Sequence, residues 1–153
     1  MRSLIAILLA VPVLAGGCAS AARTGAAPEV EFLASSNAAA AALPFSPAVR
    51  VGHMLYLSGQ IGTNEAGDVV AGGIEGETRQ TMENIRAVLG RHGSSLDRVV
   101  KCTVMLADMR EWAAMNAVYV TYFPAHRPAR SALGASGLAK GARVEIECLA
   151  TVG

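Results

Sequence analysis

The core-forming residues between positions 74 and 152 change period three times, and that alternation limits the folds open to the chain. Over residues 74–92 they recur at three- and four-residue steps, which puts Ile74, Thr78, Met82, Ile85 and Leu89 on one helical face. Glu75 and Glu77 come early and Arg86 and Arg91 late, as a helix dipole favours. Gly93 supplies the stop. Over residues 99–107 the period drops to two: Val100, Cys102, Val104 and Leu106 alternate with Val99, Lys101, Thr103 and Met105. Asp108 then predicts the cap of a second helix, and Glu111 three places on completes an acidic capping box. Trp112, Met115, Tyr119 and Tyr122 mark the expected buried face, and Pro124 ends it. Residues 143–152 return to period two. Val144, Ile146, Cys148 and Ala150 fall on one side, and Glu145, Glu147, Leu149 and Thr151 on the other.

Upstream, two short apolar runs at 49–51 and 54–57 flank Gly52-His53, the pattern of a hairpin with a type II′ turn. Ser58-Gly59-Gln60 ends the second of these strands, residues 64–68 with Gly67 form another turn, and residues 130–136 form a further strand. The order strand-strand-helix-strand-helix-strand-strand is an α+β fold, a single mixed sheet with two helices on one face. Two amphipathic helices cover only that face. The other carries Glu145, Glu147 and Leu149, which suits a subunit interface with a partly polar cleft. A chain of 153 residues with 52% hydrophobic and 16% charged residues builds one packed domain.

The N-terminus reads as an address. One positive charge at Arg2, an apolar run over residues 4–14 and Ala15-Gly16-Gly17 before Cys18 predict a secretory signal over 1–17. The run is shorter than the roughly 20 apolar residues of a membrane-spanning helix. Small residues before a cysteine resemble a bacterial lipobox, although the leucine, Leu14, stands one place early. That resemblance implies lipidation of Cys18, a lipid anchor and an exported protein of the cell envelope or periplasm. Ala19 after the cysteine implies the outer membrane if the source is Gram-negative. Residues 18–42 are read as an Ala/Ser-rich tether, with a short helix over 38–42, and the domain as 43–153. Cys102 and Cys148 lie in apolar strand-like runs. A disulfide is open to them in an oxidising compartment, but two buried free thiols are the preferred reading. His53, His92 and His126 are scattered and share no ligand spacing with a cysteine, so no metal site is expected.

Net charge is +1 over the whole chain and zero once Arg2 is removed with the signal. With aromatics at 5%, neither an electrostatic footprint nor a stacking platform for nucleic acid is present in the composition. No phosphate-binding loop, nucleophile elbow or dinucleotide fingerprint occurs.

The chemistry concentrates in Arg127-Pro128-Ala129-Arg130-Ser131-Ala132, followed fifteen residues after Arg130 by Glu145 in Val144-Glu145-Ile146-Glu147. An arginine offers a planar fork that matches a carboxylate bidentately, and a glutamate can position or activate water. An arginine entering one strand and a glutamate on the next could meet across the pairing. The same pair also reads as a structural ion pair.

Several blocks, in order, resemble the Rid (YjgF-type) family of enamine/imine deaminases: Leu43-Pro44-Phe45-Ser46, Leu57-Ser58-Gly59-Gln60-Ile61, Gln80-Thr81-Met82-Glu83-Asn84-Ile85, Val100-Lys101-Cys102-Thr103-Val104 and Met115-Asn116-Ala117-Val118-Tyr119. Pro128-Ala129-Arg130-Ser131 with Val144-Glu145-Ile146-Glu147 is the most specific part. The resemblance implies a chorismate-mutase-like α+β homotrimer with clefts between subunits and no cofactor. It implies that Arg130 binds the carboxylate of a 2-imino or 2-enamino acid and that Glu145 positions the attacking water. Ser58, Gly59 and Asn116 match cleft positions, where packing is the alternative role. Three positions depart from the family. Phe45 stands for the usual tyrosine and can only wall the pocket. Ala132 stands for a frequent cysteine, leaving its backbone as the binding group, and Gly134 stands for a frequent acid. The alternative function is a non-catalytic small-carboxylate-binding or envelope scaffold protein using the same cleft.

Overall fold

The computed structural model describes residues 26–35 and 41–153. The expected signal, Cys18 and most of the alanine run lie outside the described residues. Among those described, seven strands form one mixed sheet: β1 (Val30–Leu33), β2 (Ala48–Val51), β3 (Met54–Leu57), β4 (Gln60–Ile61), β5 (Val99–Leu106), β6 (Ala129–Gly134) and β7 (Val144–Thr151). The spatial order is β1-β2-β3-β7-β5-β6, with β4 also paired to β7. Helix α1 (Gly73–Arg91) precedes β5, and α2 (Trp112–Tyr119) links β5 to β6. β5 and β6 are parallel, so the chain must cross over between them, and α2 is that crossover.

The hairpin forms as expected, with Gly52 at φ +55° in its turn. β1 was not foreseen as a strand. It pairs antiparallel with β2, Val30 against Val51 and Leu33 against Ala48, so the sheet begins inside the stretch read as tether.

α1 presents the expected face: Ile74, Thr78, Met82, Ile85 and Leu89 are all buried. They pack with Leu55, Val104, Leu106, Val144, Ile146 and Ala150 in one core cluster. Thr78 is tolerated there because its hydroxyl donates to Ile74 O at 2.6 Å. The second helical stretch is more broken than its period suggests. A 3-10 turn at Met109–Glu111 precedes α2 and another at Val120–Tyr122 follows it. Asp108 does cap: its carboxylate accepts from Arg110 N at 2.9 Å, and the Arg110 guanidinium holds it down at about pH 2. The other half of the capping box does not form, because Glu111 turns to Arg143 instead. Met115, Tyr119 and Tyr122 are buried as expected, but Trp112 is 39% exposed and Val118 takes a place in the core.

Cys102 and Cys148 correct the free-thiol reading. They face each other across the β5–β7 ladder with Cα atoms 4.1 Å apart, and their sulfurs are bonded. The alternation of each strand put both on the core face; only the register makes them partners.

Candidate functional site

Strand register decides which site residues can meet. β5 lies between β6 and β7, so Arg130 and Glu145 are not on neighbouring strands. Arg130 is level with Cys102, which faces the helices; Glu145 is level with Met105, which faces the other way. The two side chains therefore leave opposite faces of the sheet. The expected meeting of this pair across adjacent strands does not occur within one chain.

The arginine half-site is built by β6 and α2. The Arg130 guanidinium lies over the Tyr119 ring at 4.8 Å and near the Trp112 ring at 5.9 Å. Trp112 and Tyr119 are seven residues apart, two helical turns, so α2 offers both to one point. This explains the exposure of Trp112: it sits at the arginine rather than in the core. Among the described residues Arg130 forms no ion pair, which leaves its fork free for an anion. Burial pushes the Tyr119 hydroxyl up to about 12 against the opposing pull of Arg130, and that hydroxyl has no hydrogen-bond partner. A cavity of about 530 Å³ opens here, lined by Asn116, Ala113, Tyr119, Arg127 and Arg130 among others. Asn116 and Arg130 thus line one cavity. Ala132 lies two residues along on the same side, packed against the core, on a strand paired on one side only among the described residues.

The glutamate half-site is built by β7, β4 and the loop before β2. Glu145 is level with Ile61 and lies against Gly59; a Cβ at Gly59 would stand 2.9 Å from Glu145 Cδ and 3.1 Å from Cγ. Gly59 therefore leaves room for the Glu145 carboxylate in the position it holds. Ser58 Oγ donates to Ser46 O at 2.7 Å, tying this corner to the loop that carries Phe45, whose ring is exposed. The Ser58 hydroxyl proton is thus committed to the backbone. Glu77 anchors the start of β7: it is 5% exposed and its Oε2 accepts from Arg143 N at 2.7 Å, two residues before Glu145. A Cβ at Gly134 would stand 3.1 Å from Met109 Cγ.

Sequence reasoning missed the aromatic shelf under Arg130 and the presence of Arg127 in the same cavity. The spacing of Trp112 and Tyr119 was visible, but it was assigned to the core.

A mixed sheet with two helices on one face, an arginine beside one edge without an ion pair among the described residues, and a glutamate on the open face define a small α+β protein. Residues 35–152 match the family described as endoribonuclease L-PSP. The chain belongs to this family, the Rid/YjgF group. It is 40% identical over 124 residues to mouse 2-iminobutanoate/2-iminopropanoate deaminase, covering 80% of this chain and 92% of that one. It is 42% identical over 121 residues to a RutC family protein of Pyrococcus horikoshii, covering 78% and 96%. Among solved structures, the Escherichia coli YjgF gene product superposes with a TM-score of 0.73 at 34% identity, covering 79% of this chain and 98% of that one.

Proposed function

We propose that this protein hydrolyses reactive 2-imino and 2-enamino acids to 2-oxo acids and ammonia. The observation that carries the reading is the Arg130 guanidinium, without an ion-pair partner among the described residues and seated on Tyr119 at the mouth of a cavity. It would take the substrate carboxylate bidentately. Curated relatives at about 40% identity are 2-iminobutanoate/2-iminopropanoate deaminases, which supports this class of substrate. Glu145 would accept a proton from water as the water oxygen bonds to the imine carbon. That proton passes to the imine nitrogen to give the carbinolamine; its hydroxyl proton then moves to nitrogen as the C=O bond forms, the C–N bond breaks and ammonia leaves, an enamine entering after tautomerising to the imine. No oxidant or reductant is consumed.

Since Arg130 and Glu145 leave opposite sheet faces, both act on one molecule only if a second subunit supplies one of them. A homotrimer with intersubunit clefts meets that need and covers the open face. Tyr56, Lys101, Thr103, Glu147 and Leu149 line a shallow cavity of about 230 Å³ there. Phe45, Ser58 and Gly59 would then wall the Glu145 side, and Asn116 and the Ala132 backbone the Arg130 side. Export and lipid anchoring at Cys18 complete the proposal. The Cys102–Cys148 disulfide supports an oxidising compartment, because such bonds are rare where thiols are kept reduced.

The test generates imino acids with an amino-acid oxidase and traps them with semicarbazide. Purified protein should lower trapping, and Arg130→Ala and Glu145→Gln should not. Equal behaviour of wild type and Arg130→Ala would sink the enzymatic reading. Tight carboxylate binding without faster hydrolysis would favour the non-catalytic binding protein. Cys18→Ala should release the protein from membranes into the soluble fraction.

A further inference from the structure

The lining of the cavity beside α2 includes a second arginine, exposed Arg127, that the reaction above does not use. Arg127 lines it together with Arg130, three residues on, and Pro128 between them lines it as well. Proline fixes one backbone angle, so the two arginines are presented from a stiffened segment. Arg127 forms no ion pair among the described residues, and neither does Arg130. Among the described residues no carboxylate lines the cavity, and the remaining polar side chains there are Asn116 and Tyr119. Two cationic residues in one cavity lining repel each other, and a single substrate carboxylate answers only one of them. Ala113 and Ala117 keep the floor open where a larger side chain would fill it.

We propose that Arg127 is a second-carboxylate subsite and that the preferred substrates are dicarboxylic 2-imino acids of four or five carbons. The 2-carboxylate goes to Arg130 and the distal carboxylate to Arg127. This rests on the reading of Arg130 as the holder of the 2-carboxylate. A charged group on the substrate discriminates more sharply than an added methylene.

The experiment compares 2-iminoglutarate with 2-iminopentanoate, which share a five-carbon chain and differ in the distal carboxylate. Both are generated in place by oxidases and trapped with semicarbazide. Wild type should favour 2-iminoglutarate in kcat/KM by about tenfold or more, the value of one well-made charge-assisted contact. Arg127→Gln should erase that ratio, Arg127→Lys should keep part of it, and Arg127→Glu should invert it. An unchanged ratio in Arg127→Gln, or a wild type with no preference, overturns the proposal. If wild type accelerates neither hydrolysis, the deaminase reading fails by itself. Calorimetry with the stable products 2-oxoglutarate and 2-oxopentanoate then decides the subsite. Tighter 2-oxoglutarate binding that Arg127→Gln removes supports it, and equal binding refutes it.

Discussion

Replacing Gly59 with alanine isolates the glutamate half-site with the smallest possible change. A Cβ there would stand 2.9 Å from Glu145 Cδ and 3.1 Å from Cγ. Glu145 Oε1 is nearer still, in outright overlap with that Cβ, and carbon atoms rest at about 3.5–4.0 Å, so the carboxylate end must retreat by more than about 1 Å and change rotamer. Leaving a rotamer well costs about 0.5–1.5 kcal/mol. The backbone adds nothing, since Gly59 is not among the glycines at positive φ. Stability should therefore fall by no more than about 1.5 kcal/mol in urea unfolding. Activity should respond far more, because a catalytic group displaced by about 1 Å loses on the order of 100-fold in rate. The assay is imine hydrolysis against semicarbazide trapping. A stability cycle with Glu145→Ala, read in urea unfolding, separates the cause: once the carboxylate is gone, Gly59→Ala should cost less than about 0.5 kcal/mol. A Gly59→Ala enzyme with more than half of wild-type kcat would refute this reasoning. So would an undiminished stability loss in the Glu145→Ala background.

Other positions yield further expectations. Tyr119→Phe keeps the ring and removes an unpartnered buried hydroxyl, so KM should hold and stability should stay level or rise by up to about 1 kcal/mol. Tyr119→Leu removes the shelf and should raise KM by roughly 2- to 30-fold, the worth of a cation–π contact of about 0.5–2 kcal/mol. Because the folded Tyr119 holds its proton up to about pH 12 and an unfolded tyrosine to about 10, wild-type stability should fall as pH rises between those values, more steeply than in Tyr119→Phe. Glu77→Ala leaves Arg143 N without its acceptor and should cost about 1–3 kcal/mol, whereas Glu77→Gln should restore most of it; equal losses would count against the bond. Opening the Cys102–Cys148 bond, which spans 46 residues, should cost up to about 4 kcal/mol of unfolding free energy, read as the difference between urea curves with and without reductant.

What was legible in the sequence follows from the range of each interaction. The α1 face, β7 and β5 from Lys101 on were readable because period is a local property; at the start of β5 a register shift buries Val99 and exposes Val100, against the alternation expected there. Buried Met82, Ile85, Val104 and Ile146 all fall where it puts them. Register is not local. Nothing in either strand says that Cys102 faces Cys148, or that β5 separates β6 from β7, and those two facts changed the cysteines and the Arg130–Glu145 pair. β1 was hidden because four residues, with Glu31 among them, carry little alternation at a sheet edge. Trp112 was misread because burial and service to a charged group have the same helical spacing. The site residues drawn from the family resemblance fall into two clusters, one around Arg130 and one around Glu145. Their division was invisible because motif order along a chain carries no information on sheet face.

That division has a consequence for how activity depends on assembly. If each cleft takes Arg130 from one subunit and Glu145 from the next, Arg130→Ala and Glu145→Gln damage different halves of the same cleft. Each variant alone retains no intact cleft. Mixed in equal amounts, unfolded and refolded together, they form trimers in which a given cleft draws an intact Arg130 half with a chance of one in two. It draws an intact Glu145 half from its neighbour with the same chance. About a quarter of the clefts should then be whole, and activity should return to about a quarter of the wild-type value. A site contained within one chain predicts no recovery at any mixing ratio. The yield should also follow the product of the two variants' fractions, with its maximum at equal amounts. Activity that stays at the level of the single variants after mixing would mean that the two halves never face each other.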